Sequence, residues 1–397
     1  MRAELGPDEF TVRLDGQPPI SAAYRDLTTV AVDQERVLLL LGGGTVRLMA
    51  EQLGAGLGAL VGELRERRAR QMLTDRLVEL PADERLELVE YTSADDHGVG
   101  QLAFHPWGFA LAPLDERVPW WLVRRAGIAS VKTEQSAGKV RVEVGGRPGR
   151  QGFALELLGL GSGAVRMGQR FAALRDGALS DAAAIVAGLL PDAALHLRQL
   201  AGGLLVDGRP ISRAELDDGW LPIERAVLTN PTFAASYAAL AARVASGAGG
   251  ARSWISLAPL RPTDPTEHAS WFLVALPGNL LAFELVSEGA HATYLFRARD
   301  SFEAAVFDVS ECLIDTRFLR SAIYLTEAAL ADARNLRQRL AVAALPSLRA
   351  ARTRFVGRLI HADEDSWARS LDDAIKWNTA NRDESAVWPG TDQAEGD

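Results

Sequence analysis

The sequence predicts an α+β fold made of antiparallel hairpins, each set closed by a helix. Two observations carry the prediction. From Ala31 to Arg70, two strand-like runs lead through Leu53-Gly54-Ala55-Gly56 into a helical stretch; from Val131 to Arg175 the same order leads through Leu160-Gly161-Ser162-Gly163 into another. Beyond residue 250, four further strand candidates separated by turn signals run into long helical stretches. Recurrence of one small strand–hairpin–helix unit is the mark of a duplicated binding module.

In the first copy, Phe10 to Leu14 alternates apolar and polar residues and reads as a strand, ended by the turn Asp15-Gly16. Leu27 to Val32 and Val37 to Leu41 form a hairpin around Asp33-Gln34-Glu35-Arg36. Gly42-Gly43-Gly44 then turns the chain into a strand over Thr45 to Met49. The helix from about Gly56 to Leu77 carries Leu57, Leu60, Val61, Leu64, Met72 and Leu73 at helical spacing, which makes one apolar stripe. In the second copy, Gln101 to Phe104 and Gly108 to Leu111 flank His105-Pro106-Trp107, and Pro119 to Val123 enters the next strand. Ile128 to Thr133 and Lys139 to Val144 pair around Ser136-Ala137-Gly138. After the Gly145 to Gly149 turn, Gly152 to Leu158 is the last strand and Ala164 to Leu174 the closing helix.

The third section is mixed and helix-rich. Helices are expected over Asp181 to Leu190, Ala193 to Leu205 and Thr232 to Ala245, followed by a break at Gly247 to Gly250. A four-stranded antiparallel sheet is expected from Trp254 to Leu257, Trp271 to Leu276, Leu280 to Val286 and Ala292 to Arg297. Helices then cover Phe302 to Phe318 and Tyr324 to Arg358. The stretch from Thr379 to Asp397 sets one Arg against five acids and is expected to be disordered. The expected domains are therefore residues 1–80, 98–190 and 191–378, with an acidic tail over 379–397.

A chain of 397 residues has room for two to four such domains. Only Lys132, Lys139 and Lys376 among the 43 basic residues are lysines, a bias that fits a coding sequence of high GC content. The net charge of −9 argues against non-specific binding to nucleic acid or to anionic lipid, both of which need a positive field. A single cysteine, Cys312, excludes an intramolecular disulfide framework and a cysteine-rich zinc site, and is expected to be a buried thiol. The N-terminus lacks the apolar run of a secretory signal and no stretch approaches 18 uninterrupted apolar residues, so a cytoplasmic protein is expected.

The hairpins at Asp33 to Arg36 and Ser136 to Gly138, the glycine turns at Gly42 and Gly145 and the closing helices together resemble the pleckstrin-homology-like (PH-like) superfold. The likeness covers about residues 8–77 and 98–190 and is one of pattern. It implies a tandem PH-like protein of bacterial type. Each module would be a bent antiparallel barrel capped by its C-terminal helix, with no catalytic apparatus and with protein, peptide or lipid head group as ligand. Lipid binders of this family carry a basic first hairpin loop. Asp33 to Arg36 departs from that pattern, and Lys132 and Lys139 flank the second loop.

Gly159-Leu160-Gly161-Ser162-Gly163-Ala164 also fits the glycine fingerprint of a dinucleotide fold, but no acid follows at the end of a next strand and the preceding section is all hairpins. A tight strand-to-helix turn is the simpler expectation. None of the six histidines pairs with another at helical spacing, and His361 to Asp365 lacks the glycine of a calcium loop, so no metal site is expected and an acidic helix cap is. Trp107, Trp120 and Trp121 fall in the second copy; adjacent strand residues point to opposite faces, which makes one of the latter pair a candidate contact for a partner. Seven arginines lie between Arg334 and Arg358 without an acid, so Arg349 and Arg352 are candidates for an acidic partner, against internal pairing with the acids that follow. The reading is a non-catalytic scaffold or adaptor that recognises another protein, with no cofactor. The alternatives are a peripheral binder of anionic lipid or another acidic ligand, and a nucleotide-dependent enzyme using the Gly159 to Gly163 turn.

Overall fold

A computed structural model describes residues 2–13, 16, 18–32, 36–41, 44–49, 56–81, 83–115, 118–146, 151–229, 231–244, 253–262, 264–286, 291–361, 363–381, 383 and 385–391. The fold is α+β with several antiparallel sheets. The chain divides into two compact units: Met1–Arg124 with Ser130–Glu143 and Phe153–Gln169, and Arg125–Ala129 with Val144–Gly152 and Arg170–Asp397.

The first unit opens with two three-stranded antiparallel sheets. Strands β1 (Arg2–Leu5), β2 (Glu9–Arg13) and β3 (Ile20–Ala23) form one meander; β4 (Leu27–Val32), β5 (Arg36–Leu41) and β6 (Gly44–Met49) form the other. A 3-10 turn, Tyr24–Asp26, joins them. Helix α1 (Leu57–Asp75) buries Val61 and Leu64 against Phe10, Val12, Leu27, Val37 and Leu39. Its arginines bind the strands from the other side of the stripe: Arg65 donates to the Val30 carbonyl at 2.8 Å and Arg67 to that of Gly6. The expected helix and strands are present. The loops expected at Asp33 to Glu35, Gly42-Gly43 and Leu53 to Ala55 lie outside the described residues.

A seven-stranded sheet follows, in the order β10-β9-β8-β7-β13-β12-β11. Its strands are β7 (Glu87–Thr92), β8 (His97–His105), β9 (Gly108–Pro113), β10 (Trp121–Arg124), β11 (Ile128–Glu134), β12 (Lys139–Val144) and β13 (Phe153–Leu158). Two expectations need correction. Residues 87–97, left between the first two expected domains, are no linker: Ser93 to Asp96 is a hairpin turn, the Ser93 N–H donating to Asp96 O at 2.7 Å, and β7 before it pairs with β8 and β13. Among the described residues neither copy closes into a barrel. A 3-10 turn, Arg125–Gly127, separates β10 from β11 as Tyr24–Asp26 separates β3 from β4, and closure would need hydrogen bonds between those flanking strands. The closing helix is also longer than expected. Helix α2 runs unbroken from Ala164 to Leu189, across the interval between the expected helices that end at Leu174 and start at Asp181, because an isolated glycine weakens a helix without ending it.

The second unit is built on a six-stranded antiparallel sheet in chain order: β14 (Ile211–Ser212), β15 (Ser253–Arg261), β16 (Asp264–Leu276), β17 (Leu280–Val286), β18 (Ala292–Arg297) and β19 (Phe355–Ile360). Every residue from Ala269 to Leu276 is buried, so both faces are covered. The helices are α3 (Leu195–Leu204), α4 (Arg213–Leu216), α5 (Trp220–Val227), α6 (Pro231–Ala241), α7 (Phe302–Asp315), α8 (Ser321–Tyr324), α9 (Glu327–Ala331), α10 (Leu336–Ala344), α11 (Pro346–Arg354) and α12 (Glu364–Ala380). Phe272, Val274, Leu276 and Ala282 pack with Trp220, Ile223, Phe233, Trp367 and Leu371 on one face. On the other, Trp271 donates to Ser310 of α7 at 3.2 Å and lies edge-on to Phe318.

Four of these strands match the expected sheet; β14 and β19 add two edges. The expected helix Tyr324 to Arg358 is instead three helices and a strand, because Asp332 caps a new turn through the Arg334 N–H at 2.8 Å and Pro346 starts α11. The segment from Thr379, expected to be disordered, is held as far as it is described: α12 continues to Ala380 and Trp388 packs on the core, its N–H bonded to Val356 O at 2.7 Å. Residues 392–397 lie outside the described residues.

One buried ion cluster ties the 3-10 turn at Arg125 into the second unit. Arg125 sends Nε and Nη2 to Asp207, the latter at 2.7 Å, and Nη1 to Asp181 of α2 at 2.7 Å. Burial alone would pull the guanidinium pKa down, and the two carboxylates more than offset it. Asp207 holds a left-handed backbone, φ 44°, beside Gly208, where a Cβ would come within 2.7 Å of Trp271. Arg125→Met should therefore cost about 3–5 kcal/mol in chemical denaturation, since it leaves two carboxylates buried without their partner. A second outcome concerns pH. Burial holds the His268 imidazole below its usual 6.5, so the unfolded chain takes up a proton that the folded protein resists. Stability is then lost as pH falls from about 7 through that value, and the fall in melting temperature should be smaller in His268→Gln.

Candidate functional site

Alternation along β18 and β19 sorts their side chains onto two faces. Tyr294 pairs with Arg358 and Ala292 with Ile360, which puts these four residues on one face as the floor of a pocket of about 260 Å³. The wall comes from the chain after α7: Phe318, Leu319 and Arg320, then Ser321 and Tyr324 of α8. His291 completes the lining. Among the described residues the lining holds two arginines and no carboxylate.

The wall is bought with backbone strain. Arg317 and Phe318, neither of them glycine, are consecutive left-handed residues at φ 52° and 61°. Each such conformation costs roughly 1–2 kcal/mol. The Phe318 N–H reaches back to Leu313 O at 2.7 Å, which ends α7 and turns Phe318 to Arg320 toward the sheet. The two guanidiniums meet the two phenol rings there. Arg358 lies over the Tyr324 ring at 4.1 Å and Arg320 over Tyr294 at 5.9 Å, with the rings themselves 6.3 Å apart. Burial pushes the Tyr294 hydroxyl pKa up, and Arg320 and Arg358 pull it partly back.

The opposite face of the same strands carries a buried polar network. Glu284 of β17 is 1% exposed. Ser236 donates to its Oε2 at 2.7 Å, Thr293 to its Oε1, and His361 Nε2 lies 3.2 Å from Oε1. Thr293 also accepts from Trp367 Nε1 at 2.9 Å and faces His361 Nε2 at 2.9 Å. Its single hydroxyl proton goes to Glu284, so Nε2 of His361 carries the hydrogen that completes the set. The His361 N–H bonds the His291 carbonyl at 3.0 Å, which links this network to the pocket lining through the backbone.

The residues expected to meet a partner are placed elsewhere. Trp107 is buried. Trp120 and Trp121 do point to opposite faces, but Trp120 packs beneath Arg76 at 4.5 Å and on the Leu73 cluster, and Trp121 stands edge-on to Tyr91 at 5.1 Å. Lys139 pairs with Glu156 at 2.8 Å, and exposed Lys132 helps to hold the Glu143 carboxyl below its usual pKa, after the hydrogen bond from Ser130. Acids thus match this loop's cations. Arg349 donates to the Ala343 carbonyl at 2.6 Å, and Arg352 to those of Ala322 and Leu325 and to Glu327, so both bind helix ends. Arg358 lay within the arginine-rich stretch but was expected on a helix, and Arg320, Tyr294 and Tyr324 carried no signal in the sequence.

The glycine run Gly159 to Gly163 sits after β13, which is antiparallel to β7, and not in a parallel βαβ unit. Leu160 N–H bonds the Gly138 carbonyl at 2.9 Å, and a Cβ at Gly138 would lie 2.6 Å from the Gly161 nitrogen. The run is a close backbone crossing. Asp363 caps α12 by accepting from the Ser366 N–H at 2.8 Å, as expected for an acidic cap. Cys312 is buried, which raises its thiol pKa. No described helix is long and apolar enough to cross a membrane. Against known families and curated proteins, the sequence matches no family model and no curated protein.

Glu284→Ala should lower unfolding free energy by about 3 kcal/mol, because it removes the buried acceptor that Ser236, Thr293 and His361 share. Glu284→Gln, which keeps an acceptor, should lose less. Urea denaturation followed by tryptophan fluorescence measures both.

Proposed function

We propose that the protein is a non-catalytic, cytoplasmic scaffold or adaptor that recognises another protein through two tandem PH-like modules. The observation that carries this reading is a repeated order of elements. Three meandering strands, a 3-10 turn, three more strands and a helix occur as β1–β3, Tyr24–Asp26, β4–β6 and α1. They occur again as β8–β10, Arg125–Gly127, β11–β13 and α2, with β7 added in front. Two meanders followed by a single closing helix is the order that the PH-like likeness implies, and duplication of such a module favours holding partners over chemistry.

The second copy offers one apolar spot for contact. Leu88 is 64% exposed and Val99 36% exposed, and they lie diagonally across the β7–β8 pair on the outer face. The test is crosslinking and affinity capture from native lysate with the full chain and with Leu88→Asp. A stoichiometric protein captured by the wild type and lost in the variant, with the melting temperature unchanged, is the expected result. Equal capture by both, or no stoichiometric partner, argues against the reading.

A further inference from the structure

We propose that the first copy binds an extended strand of a partner protein, edge to edge, between β1 and β6. The proposal rests on the adaptor reading and names the kind of segment recognised. Its basis is the one element that the two copies do not share. In the second copy β7 lies between β8 and β13, antiparallel to both, and its hydrogen bonds join two meanders into one seven-stranded sheet. By order of elements, β8 and β13 correspond to β1 and β6. Among the described residues no strand joins β1 to β6, and the two meanders of the first copy remain separate three-stranded sheets. They nevertheless share one core, with Val12 of β2 and Leu48 of β6 in the same apolar cluster. The connection from β13 into α2 coexists with β7, so this corner has room for both a strand-to-helix turn and an inserted strand.

The outer edge of β1 is set for pairing. Gly6 N–H donates to Glu9 O at 2.8 Å, and by the antiparallel alternation Glu4–Thr11 and Arg2–Arg13 are bonded pairs as well. Ala3 and Leu5, between them, turn their N–H and C=O groups away from β2, which is the edge that a further strand extends. The chemistry of the incoming segment follows from β7, whose six residues bury Val89 and Tyr91 and leave Leu88 and Glu90 exposed. Two apolar residues at alternate positions therefore seal the core side. Glu156 of β13, beside buried Leu157, pairs with Thr92 of β7. Exposed Arg47, beside buried Leu48, holds the matching place on β6, so an acidic residue suits the bound strand there.

Calorimetric titration of the full chain with the blocked peptide Glu-Leu-Val-Glu-Tyr-Glu, the β7 sequence with an acid in the last place, tests the proposal. The peptide should bind, and the same peptide N-methylated at alternate residues should not. Ala3→Pro removes an N–H that β2 does not use, so it should abolish binding with the melting temperature unchanged. Arg47→Glu should weaken binding about fivefold and favour a peptide ending in lysine instead. Failure of the peptide to bind at millimolar concentration, or unchanged affinity in Ala3→Pro, overturns the proposal. Sedimentation of the peptide-free chain tests the rival occupant: a dimer that Ala3→Pro dissolves, without peptide binding, overturns it in favour of a second copy of this chain. The capture experiment with Leu88→Asp fails separately. Capture lost in that variant but no peptide binding overturns this site and leaves the adaptor reading, whereas peptide binding with no captured partner supports the site and counts against the adaptor.

Discussion

Burial of both faces of one antiparallel sheet is the constraint on which the second unit depends. A strand buried on both sides has no solvent to receive a polar side chain, so each polar residue on it must find protein partners. Glu284, Thr293, Arg297 and Arg358 are all such residues. Glu284 and Thr293 answer to Ser236, His361 and Trp367; Arg297 answers to Asn378 at 3.0 Å and to the Ala386 carbonyl. Those bonds draw α6, α12 and the residues after α12 onto the sheet, so the polar minority fixes where the apolar majority packs.

The same alternation gives the sheet two chemistries. Tyr294 and Arg358 face the arginine–tyrosine pocket while Thr293 and Leu359, one residue along each strand, face the core. A one-residue slip between β18 and β19 would exchange the two sets, so the buried network also holds the register of the pocket floor. Strain at Arg317 and Phe318 is tolerated because α7 is anchored on Trp271 and because Arg352 ties the carbonyls that follow at Ala322 and Leu325.

Much of the architecture was readable from periodicity. The four central strands of the second unit and the two meanders of the second copy follow from short runs bounded by turn signals, and helix α1 from apolar residues at helical spacing. What was missed was either short or borrowed. Strand β14 has two residues and exists only through its pairing with Ile255 and Trp254. Strand β19 reads Phe-Val-Gly-Arg-Leu-Ile after a helical arginine run, and the edge of β18 makes it a strand. The pocket was hidden for the same reason. Its lining comes from positions 291–294, 318–324 and 358–360, which no spacing rule connects.

By itself the sequence determined the secondary-structure class, the repeat of a hairpin–helix unit and the use of glycines at turns, because these depend on local propensity and on the period of apolar residues. Only the tertiary structure decided which arginines cap helices and which line a pocket, and that Arg125 lies between two carboxylates. An arginine's role is set by the acids, carbonyls and rings that folding brings to it, and the nearest of these are often tens of residues away along the chain.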